Sequence, residues 1–540
     1  MSNLITVKQL KIEAFDGEQW KQIVNGIDLT LKKGEVLGLI GESGAGKSTI
    51  GLSVLGYARP GCRISSGSVV FDDIEMLDAT EEGKRKLRGG RIAYVAQSAA
   101  AAFNPAHRLI NQFAEGPVQH GLMTFAEAEE KAIDLYRRLD LPDPERIGYR
   151  YPHQVSGGQL QRAMVAMAMA EEPDIIIFDE PTTALDVTTQ IEVLSAIKDI
   201  IRQQDTAAIY ISHDLAVVAQ LADRIMVLRY GDFVEIGDAR NILKAPKEEY
   251  TQKLLAVRTL REEKDVPENQ GEVVLEVKNV TAGYTTSETV VDNINLEVYR
   301  QRTVAVVGES GSGKTSLARV ITGLLPPSTG KIFFGGMELA PDLKSRDRES
   351  LRRLQMIFQM PDVALNPRQK VRKILGRPLD FYFKMGGAKR EQRVLQLLEM
   401  IELPKIFIER YPAELSGGEK QRICIARALA AKPEMIICDE VTSALDQLVA
   451  EEILKLLQDL QNDLGVSYLF ITHDLATVKA IADEIVVMLQ GRIVEQGPKR
   501  KVLDPPWHEY TELLLSSVPE MDPDWLDDLL AKRQASQPNA

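Results

Sequence analysis

The stretch SGGQLQRAMVAMAMAEEPDIIIFDEPTTALD, from Ser156 to Asp186, has a near copy 260 residues further on, SGGEKQRICIARALAAKPEMIICDEVTSALD, from Ser416 to Asp446. The copies align without a gap and are identical at 17 of 31 positions. Other paired blocks flank them in the same order, and their spacing drifts only to 267 residues at Lys47 and Lys314. The sequence therefore predicts a duplicated domain that covers nearly the whole chain.

Length and composition limit the class of protein. A chain of 540 residues is too long for one core. A net charge of −13 argues against broad binding to nucleic-acid phosphates. No apolar run approaches the roughly 18 residues of a spanning helix, and no signal peptide is visible. The three cysteines are scattered, which excludes a disulfide framework or a CxxC metal site and favours the cytosol.

Apolar runs such as VLGLIG and IIIFDE alternate with helical patterns, which predicts an α/β fold with a mainly parallel sheet in each copy. One such helix, Thr124 to Leu139, opens with a Thr-x-x-Glu capping box. We predict domains at residues 1–256 and 272–519. The charged stretch 257–271 between them is predicted to be a linker, and the tail, residues 520–540, a frayed terminal helix with a disordered end.

GESGAGKS and GESGSGKT fit the Gly-x4-Gly-Lys-Ser/Thr phosphate loop. The glycines allow backbone N–H groups to surround phosphate oxygens, and the motif lysine reaches the β- and γ-phosphates. A Gly-rich turn with an exposed lysine is the alternative, but two matches at equivalent positions favour nucleotide binding. The predicted ligands are Gly41, Ser43, Gly44, Gly46, Lys47, Ser48 and Thr49, and in the second copy Gly308, Ser310, Gly311, Gly313, Lys314, Thr315 and Ser316.

Two acids end an apolar strand in each copy, where ligands of α/β sheets collect. Glu180 and Glu440 are the predicted catalytic bases that polarise the attacking water. The predicted Mg²⁺ ligands are Ser48, Gln97 and Asp179 in the first copy and Thr315, Gln359 and Asp439 in the second.

Each copy also has a histidine after a strand, His213 or His473, which we predict to contact the γ-phosphate and orient the water. A structural or surface histidine is the alternative. Gln97 and Gln359 end strands and begin loops, where they would sense Mg²⁺ and water. A buried glutamine that satisfies loop backbone remains a serious alternative.

The order of phosphate loop, glutamine, Ser-Gly-Gly stretch, Asp-Glu strand and histidine resembles the ATP-binding cassette (ABC) proteins. The resemblance implies two P-loop nucleotide-binding domains, each with a RecA-like parallel core, an antiparallel β part and a helical signature subdomain. It also implies two cassettes packed head to tail within this chain, with ATP and Mg²⁺ between them. The implied signature residues are Ser156, Gly157, Gly158 and Gln159, and Ser416, Gly417, Gly418 and Glu419; the implied interface residues are Asp186 and Asp446, each the end of an Ala-Leu-Asp loop.

In that family an aromatic residue near the first strand stacks on adenine. Tyr284 fits this role in the second copy. Phe15 fits in the first with a one-residue slip, and Trp20 is a rival. Each signature is expected to complete the other copy's site, and both sites are expected to hydrolyse ATP. Glu419 would slow one site if its charge faced the nucleotide.

The FNP and LNP triplets, YPHQVSGG and YPAELSGG, and APKEEYTQKLL and PPWHEYTELLL resemble ATP-binding subunits of bacterial oligopeptide and dipeptide importers. This implies a peripheral protein at the cytoplasmic face of the inner membrane. Its partners would be two integral-membrane permeases, docked near residues 105–150 and 366–410, and an extracytoplasmic solute-binding protein. Many such subunits carry a cysteine cluster near the cassette's end; because no cysteine follows Cys438, we predict no iron–sulfur cluster.

Two alternatives stay open. A tandem ATPase acting on the ribosome would need a long charged linker and a basic surface, which this chain lacks. An importer of a metal chelate such as nickel would use similar cassettes.

Overall fold

The computed structural model describes residues 3–183, 185–256, 271–285, 288–443 and 445–536. Of the predicted linker, residues 257–270 lie outside these ranges, as do Ala184 and Ala444 of the two Ala-Leu-Asp loops. The chain divides into a first unit, Met1–Thr259 together with Pro519–Ala540, and a second unit, Leu260–Val518.

In the first unit the strands are β1 Asn3–Phe15, β2 Trp20–Lys32, β3 Val36–Ile40, β4 Cys62–Phe71, β5 Ile74–Glu75, β6 Ile92–Val95, β7 Ile175–Asp179, β8 Ala207–Ile211, β9 Arg224–Arg229 and β10 Asp232–Asp238. The helices are α1 Lys47–Val54, α2 Glu81–Leu87, α3 Ala99–Ala102, α4 Leu109–Gln119, α5 Phe125–Arg138, α6 Pro144–Ile147, α7 Gly157–Ala168, α8 Val187–Gln204, α9 Leu215–Ala219, α10 Ala239–Lys244 and α11 Glu249–Ala256.

The second unit repeats this order. Its strands are β11 Val273–Ala282, β12 Val291–Tyr299, β13 Thr303–Val307, β14 Thr329–Phe334, β15 Met337–Glu338, β16 Leu354–Ile357, β17 Met435–Asp439, β18 Ser467–Ile471, β19 Glu484–Leu489 and β20 Arg492–Pro498. Its helices are α12 Lys314–Thr322, α13 Arg348–Arg353, α14 Pro361–Ala364, α15 Val371–Phe383, α16 Gly387–Met400, α17 Gly417–Leu429, α18 Gln447–Leu464, α19 Leu475–Ile481, α20 Lys499–Leu503 and α21 Glu509–Ser516. The last helix of the chain, α22 Trp525–Ser536, belongs to the first unit.

Each unit has a mainly parallel sheet and an antiparallel one. In the first unit the orders are β10-β9-β3-β8-β7-β6 and β2-β1-β4-β5. In the parallel sheet only the β9–β10 pairing is antiparallel. The second unit has the orders β20-β19-β13-β18-β17-β16 and β12-β11-β14-β15. The predicted fold class is confirmed. The apolar runs predicted as strands are buried on both faces, as parallel strands between layers should be.

The core lies between the two sheets and around the phosphate-loop helix. Ile5 of β1, Leu39 of β3 and Ile50 of α1 are fully buried in one cluster, and the second unit has the matching cluster. The helices between β6 and β7 form the predicted helical part. There α5 starts with the predicted capping box, in which the Thr124 hydroxyl accepts from the Glu127 N–H and the Glu127 carboxylate from the Thr124 N–H.

The C-terminal helix differs from its prediction. It is not frayed: Leu526 is fully buried, and residues 519–536 pack on the first unit. Its leucine Leu526 gains its burial from a surface of the first unit that is far away in sequence.

Candidate nucleotide-binding sites

The first phosphate loop runs from the end of β3 into α1. Gly41 is in the positive-φ region at 154°, and a Cβ there would lie 2.1 Å from the Leu228 carbonyl oxygen, so this position requires glycine. The Lys47 ammonium is turned into the loop and donates to the carbonyl oxygens of Gly41 at 2.7 Å and Glu42 at 2.9 Å. The loop thus surrounds its lysine as the sequence motif predicts.

The second phosphate loop has the same geometry. Gly308 adopts φ 149°, with the Met488 carbonyl oxygen 2.2 Å from where a Cβ would be. Lys314 donates to the Gly308 and Glu309 carbonyl oxygens, both at 2.7 Å. Each helix that follows begins at its lysine, so the helix N-terminus lies at the loop, where its dipole favours an anion.

A hydroxyl from each phosphate loop meets a carboxylate from the end of a parallel strand. Ser48 Oγ donates to Asp179 Oδ1 at 2.6 Å, and Thr315 Oγ1 donates to Asp439 Oδ1 at 3.0 Å. These pairs are 131 and 124 residues apart in sequence. The fold therefore brings two of the three predicted metal ligands together in each unit, and hydroxyl and carboxylate oxygens are a donor set that suits Mg²⁺.

The surroundings of the two aspartates differ. The Tyr94 hydroxyl donates to Asp179 Oδ2 at 2.5 Å, and an Arg59 nitrogen lies 3.5 Å from the same oxygen. Met356 takes the place of Tyr94 in the second unit, since both pair with equivalent strand residues, Ile177 and Ile437. Sequence reasoning missed Tyr94 and Arg59.

In the second unit, burial raises the pKa of Asp439 to about 6. The hydrogen bond from Thr315 and the nearby positive charges lower it only in part, and the Glu440 charge adds to the increase. The carboxyl that would ligate a metal here is thus held in an environment that favours its neutral form.

The predicted catalytic glutamates contact the predicted glutamine and histidine. Gln97 Nε2 donates to Glu180 Oε2 at 3.0 Å, and His213 Nδ1 lies 3.3 Å from Glu180 Oε1. In the second unit the matching distances are 2.6 Å from Gln359 and 3.3 Å from His473 to the Glu440 carboxylate. Sequence reasoning placed these residues at one site but did not predict these direct contacts.

Both glutamates have a left-handed backbone, with φ 50° for Glu180 and 49° for Glu440. This conformation is uncommon for a residue other than glycine and costs free energy. It is fixed in part by the hydrogen bonds from their N–H groups to the Ile211 and Ile471 carbonyl oxygens, both 2.9 Å. Both units therefore hold the backbone of this glutamate in the same uncommon conformation at the end of the strand.

Each glutamate and histidine form a charge pair. Burial acts to raise the pKa of Glu180, but the hydrogen bond and charge of His213 and the charge of Lys47 hold that pKa below its ordinary value. Burial acts to lower the pKa of His213, and the Glu180 carboxylate outweighs it and raises the pKa. The Glu440–His473 pair shifts in the same directions for the same reasons. Both pairs favour a carboxylate beside an imidazolium.

The signature stretches open helices α7 and α17. The Ser156 hydroxyl accepts from the Gln159 N–H, and the Gln159 side chain accepts from the Ser156 N–H at 3.2 Å. Glu419 does the same for Ser416, at 2.7 Å. Its carboxylate is therefore engaged with its own helix end, an orientation that the sequence did not predict.

Small residues in the signature have a packing reason. A Cβ on Gly158 would lie 2.2 Å from Thr189 Cγ2, and one on Gly418 would lie 2.5 Å from Val449 Cγ1. The signature helix therefore packs closely on the helix that follows the Ala-Leu-Asp loop. Asp186 caps that helix, its carboxylate accepting from the Thr189 N–H at 3.1 Å.

The aromatic candidates occupy different surroundings. Tyr284 is half exposed, its hydroxyl 3.2 Å from Ser316 Oγ at the start of α12, and Arg319 donates to it at 2.8 Å. Phe15 and Trp20 face each other across the β1–β2 turn with ring centroids 5.4 Å apart. Tyr284 therefore lies beside its phosphate-loop helix, and the structure does not separate Phe15 from Trp20.

Two kinds of feature are absent from the described part of the chain. Across the residues that the structure describes, no cluster of three or more His, Cys, Asp and Glu side chains forms a metal centre. Within the same ranges, no helix combines the length and apolar character needed to cross a bilayer.

Comparison with known proteins gives two matching family models. The model described as ABC transporter matches residues 24–183 and 291–443. The model described as oligopeptide/dipeptide transporter, C-terminal region, matches residues 234–283 and 494–540.

Among curated relatives, the glutathione import ATP-binding protein GsiA of Salmonella choleraesuis is 37% identical over 96% of this chain and 90% of that protein. GsiA of Escherichia coli O157:H7 is 36% identical with the same coverage. Among solved structures, cbiO1 of Clostridium perfringens, part of the transporter complex cbiONQ, is 28% identical with a TM-score of 0.40, over 43% of this chain and 90% of that chain.

The ABC model matches more than half of the chain, once in each unit, and the resemblance drawn from the motifs is confirmed. The protein is a tandem ATPase that belongs to the ABC transporter family.

Proposed function

We propose that this chain is the ATP-hydrolysing subunit of a bacterial importer that takes up a peptide-like solute through partner permeases. The observation that carries the proposal is the duplicated site, in which both units bring a phosphate loop, a hydroxyl–carboxylate pair and a Glu–Gln–His cluster to one sheet edge. The oligopeptide/dipeptide C-terminal model and the GsiA relatives support the importer type and the peptide-like solute.

In the first site, Lys47 and the backbone N–H groups of its loop would bind the β- and γ-phosphates. Ser48 and Asp179 would hold Mg²⁺, with Gln97 at the edge of that site. Bound Mg²⁺ supplies positive charge against the phosphate oxygens. Thr315, Asp439 and Gln359 would do the same in the second site, beside Lys314.

Glu180 would accept a proton from the attacking water, and Glu440 would do so in the second site. The histidine beside each glutamate donates to its carboxylate and so fixes its direction. As an imidazolium it would also place positive charge near the γ-phosphate.

We further propose that the binding site for each ATP is completed by the signature of the other cassette. The signature from Ser156 to Gln159 would face the nucleotide on Lys314, and the signature from Ser416 to Glu419 the one on Lys47. The N–H groups at these helix starts are suited to a γ-phosphate. Fusing both cassettes in one chain, with residues 257–271 as linker, raises their effective concentration toward the millimolar range.

Adenine would stack on Tyr284 in one site and on Phe15 or Trp20 in the other. The chain would sit peripherally at the cytoplasmic face of the inner membrane. Two permeases and an extracytoplasmic binding protein would complete the importer, and solute choice would lie with the binding protein. The acidic net charge supports a partner other than nucleic acid.

Co-purification tests this function. A tagged chain, extracted in mild detergent from its own bacterium, should carry two integral-membrane permeases in equal amounts. Addition of the matching binding protein with its peptide-like solute should stimulate ATP hydrolysis in reconstituted vesicles. Recovery with ribosomes and without permeases would contradict the proposal, and stimulation by a nickel chelate alone would contradict the choice of solute.

A further inference from the structure

The C-terminal segment, residues 519–536, follows the second unit in sequence but packs on the first. Its helix α22 buries Leu526 completely and Leu529 to 9% exposure. The two leucines are three residues apart and so lie on one face of the helix. The segment therefore packs one apolar face of α22 on the first unit and is not a loose extension.

A buried glutamine receives the segment. Gln220 is 2% exposed, and its side-chain nitrogen donates to the carbonyl oxygens of Glu520 at 2.7 Å and Asp522 at 3.1 Å. Its side-chain oxygen accepts from the Leu526 N–H at 3.1 Å. The same nitrogen also contacts the Ala216 carbonyl oxygen of its own helix at 3.0 Å, so the segment supplies most but not all partners of this buried amide.

Charges surround this contact. Lys198, 8% exposed, lies 2.9 Å from the Asp527 carboxylate, and Arg202 lies 3.3 Å from it. Arg240 donates twice to Asp524, at 2.7 and 2.9 Å. A basic surface on the first unit thus meets acidic residues of the segment, and the bidentate pair adds a defined geometry.

Lys198, Arg202 and Gln220 together form the surface that receives the segment, which we call the receptor. The second unit lacks this receptor. At the constant spacing of 260 residues, Lys198, Arg202 and Gln220 correspond to Gln458, Asn462 and Ala480. There Gln458 Nε2 donates directly to the Ala480 carbonyl oxygen at 3.1 Å. The two positions that receive the segment in the first unit thus bond to each other in the second. Lys198, Arg202 and Gln220 are therefore particular to the first unit, whereas Arg240 has a counterpart in Arg500.

The receptor spans helices that lead to the nucleotide site. Lys198 and Arg202 lie on α8, which begins at the cap Asp186. Gln220 caps the end of α9, whose opposite end starts at Asp214, next to His213. The C-terminal segment thus contacts α8 and α9 away from their N-terminal ends, and those N-terminal ends lie at Asp186 and next to His213.

We propose that the C-terminal segment is an intramolecular clasp that fixes α8 and α9 of the first unit, and thereby positions His213 and the Asp186 loop. The role of His213 rests on the proposed function, but the clasp itself does not. Because the second unit lacks the receptor, only the first site depends on the C-terminus. The chain's end thus acts as a positioning element for one of its two ATPase sites.

Hydrogen–deuterium exchange on the full-length chain tests the clasp. Removal of residues 520–540, or the milder Gln220→Ala, should speed amide exchange in α8 and α9 at least about tenfold, while α18 and α19 keep their rates. Arg240→Ala should have a smaller effect of the same pattern, and Arg500→Ala, at the corresponding position, none on α8 and α9. Unchanged exchange in α8 and α9, or equal acceleration in both units, would overturn the clasp.

Two further measurements keep the test decisive. A synthetic peptide of residues 519–536 should restore slow exchange in the truncated chain, and failure to do so in a folded truncated chain would overturn the clasp. In the Glu440→Gln background, truncation should lower turnover at the first site at least about threefold, and in the Glu180→Gln background it should not affect the second. Faster exchange in α8 and α9 with unchanged turnover would overturn the positioning role alone.

Discussion

The two aspartates that we propose as metal ligands end equivalent strands yet lie in different surroundings. Tyr94 and Arg59 lie against Asp179, whereas Met356 replaces the tyrosine near Asp439, whose pKa burial raises to about 6. The lysine, aspartate, glutamate, glutamine and histidine of the predicted site are retained in both units. The comparison teaches that duplication has kept the groups that would touch ATP while the residues behind them have diverged.

The largest effect on ATP hydrolysis should come from replacing the glutamate that both units share, Glu180 or Glu440. Glu180→Gln or Glu440→Gln should cut ATP hydrolysis at its own site at least about tenfold, because each removes a general base, while ATP binding persists. Phosphate release and equilibrium nucleotide binding check this. Near-normal turnover in both single variants would remove the glutamates from that role and break the equivalence of the sites.

Lower pH should separate the sites. Since the pKa of Asp439 is raised above its ordinary 3.8 to about 6, the neutral form prevails in the folded chain below that pH. A cation must displace this proton, so Mn²⁺ binding to the second site should weaken about tenfold from pH 7 to pH 5.

Electron paramagnetic resonance on the Asp179→Asn variant, with a non-hydrolysable ATP analogue, measures Mn²⁺ at the second site alone. Met356→Tyr should reduce the loss because a phenol can donate to the Asp439 carboxylate, and the comparison cancels titration of the nucleotide itself. If Mn²⁺ binding weakened equally with and without Met356→Tyr, that result would contradict the account of Asp439.

The reverse exchange tests the first site. Tyr94→Met, and equally Tyr94→Phe, removes the hydroxyl that donates to Asp179 and should weaken Mn²⁺ binding there about three- to tenfold, the usual effect of losing one intramolecular hydrogen bond. The Asp439→Asn background isolates the first site. Met356→Leu is the matched control and should change nothing; an unaffected Tyr94→Phe would show that the hydroxyl does not position Asp179.

The smallest effect should be at Glu419. Its carboxylate caps α17 as Gln159 caps α7, so Glu419→Gln should leave turnover and nucleotide affinity unchanged. Glu419→Ala should lower the free energy of unfolding by about 1 kcal/mol through loss of the cap. A faster Glu419→Gln enzyme would instead support a charge that slows this site.

The fold was readable from the sequence because its signals are local. Buried strands appear as short apolar runs, the capping box of α5 lies within four residues, and the phosphate loops are contiguous. The repeat then supplied a second, independent copy of every signal. The one misjudged element is α22, whose burial depends on Gln220 and on charges hundreds of residues away in sequence.

The site was readable in part. The motifs predicted which residues gather, but not that Gln97 and His213 both contact the Glu180 carboxylate. Tyr94 was missed because a tyrosine in an apolar strand is typical of a core. Comparing the two copies position by position, tyrosine against methionine, is the sequence signal that could have found it.

Counting trapped nucleotide tests the central claim of two shared sites most directly. In the Glu180→Gln, Glu440→Gln double variant, photo-crosslinking with an azido-ATP followed by cleavage between the units should label both. Adding Ser156→Arg should abolish the label on the second unit, which carries Lys314, and spare the first. Loss of the label from the first unit, or no loss from either, would contradict the pairing of each signature with the other unit's phosphate loop.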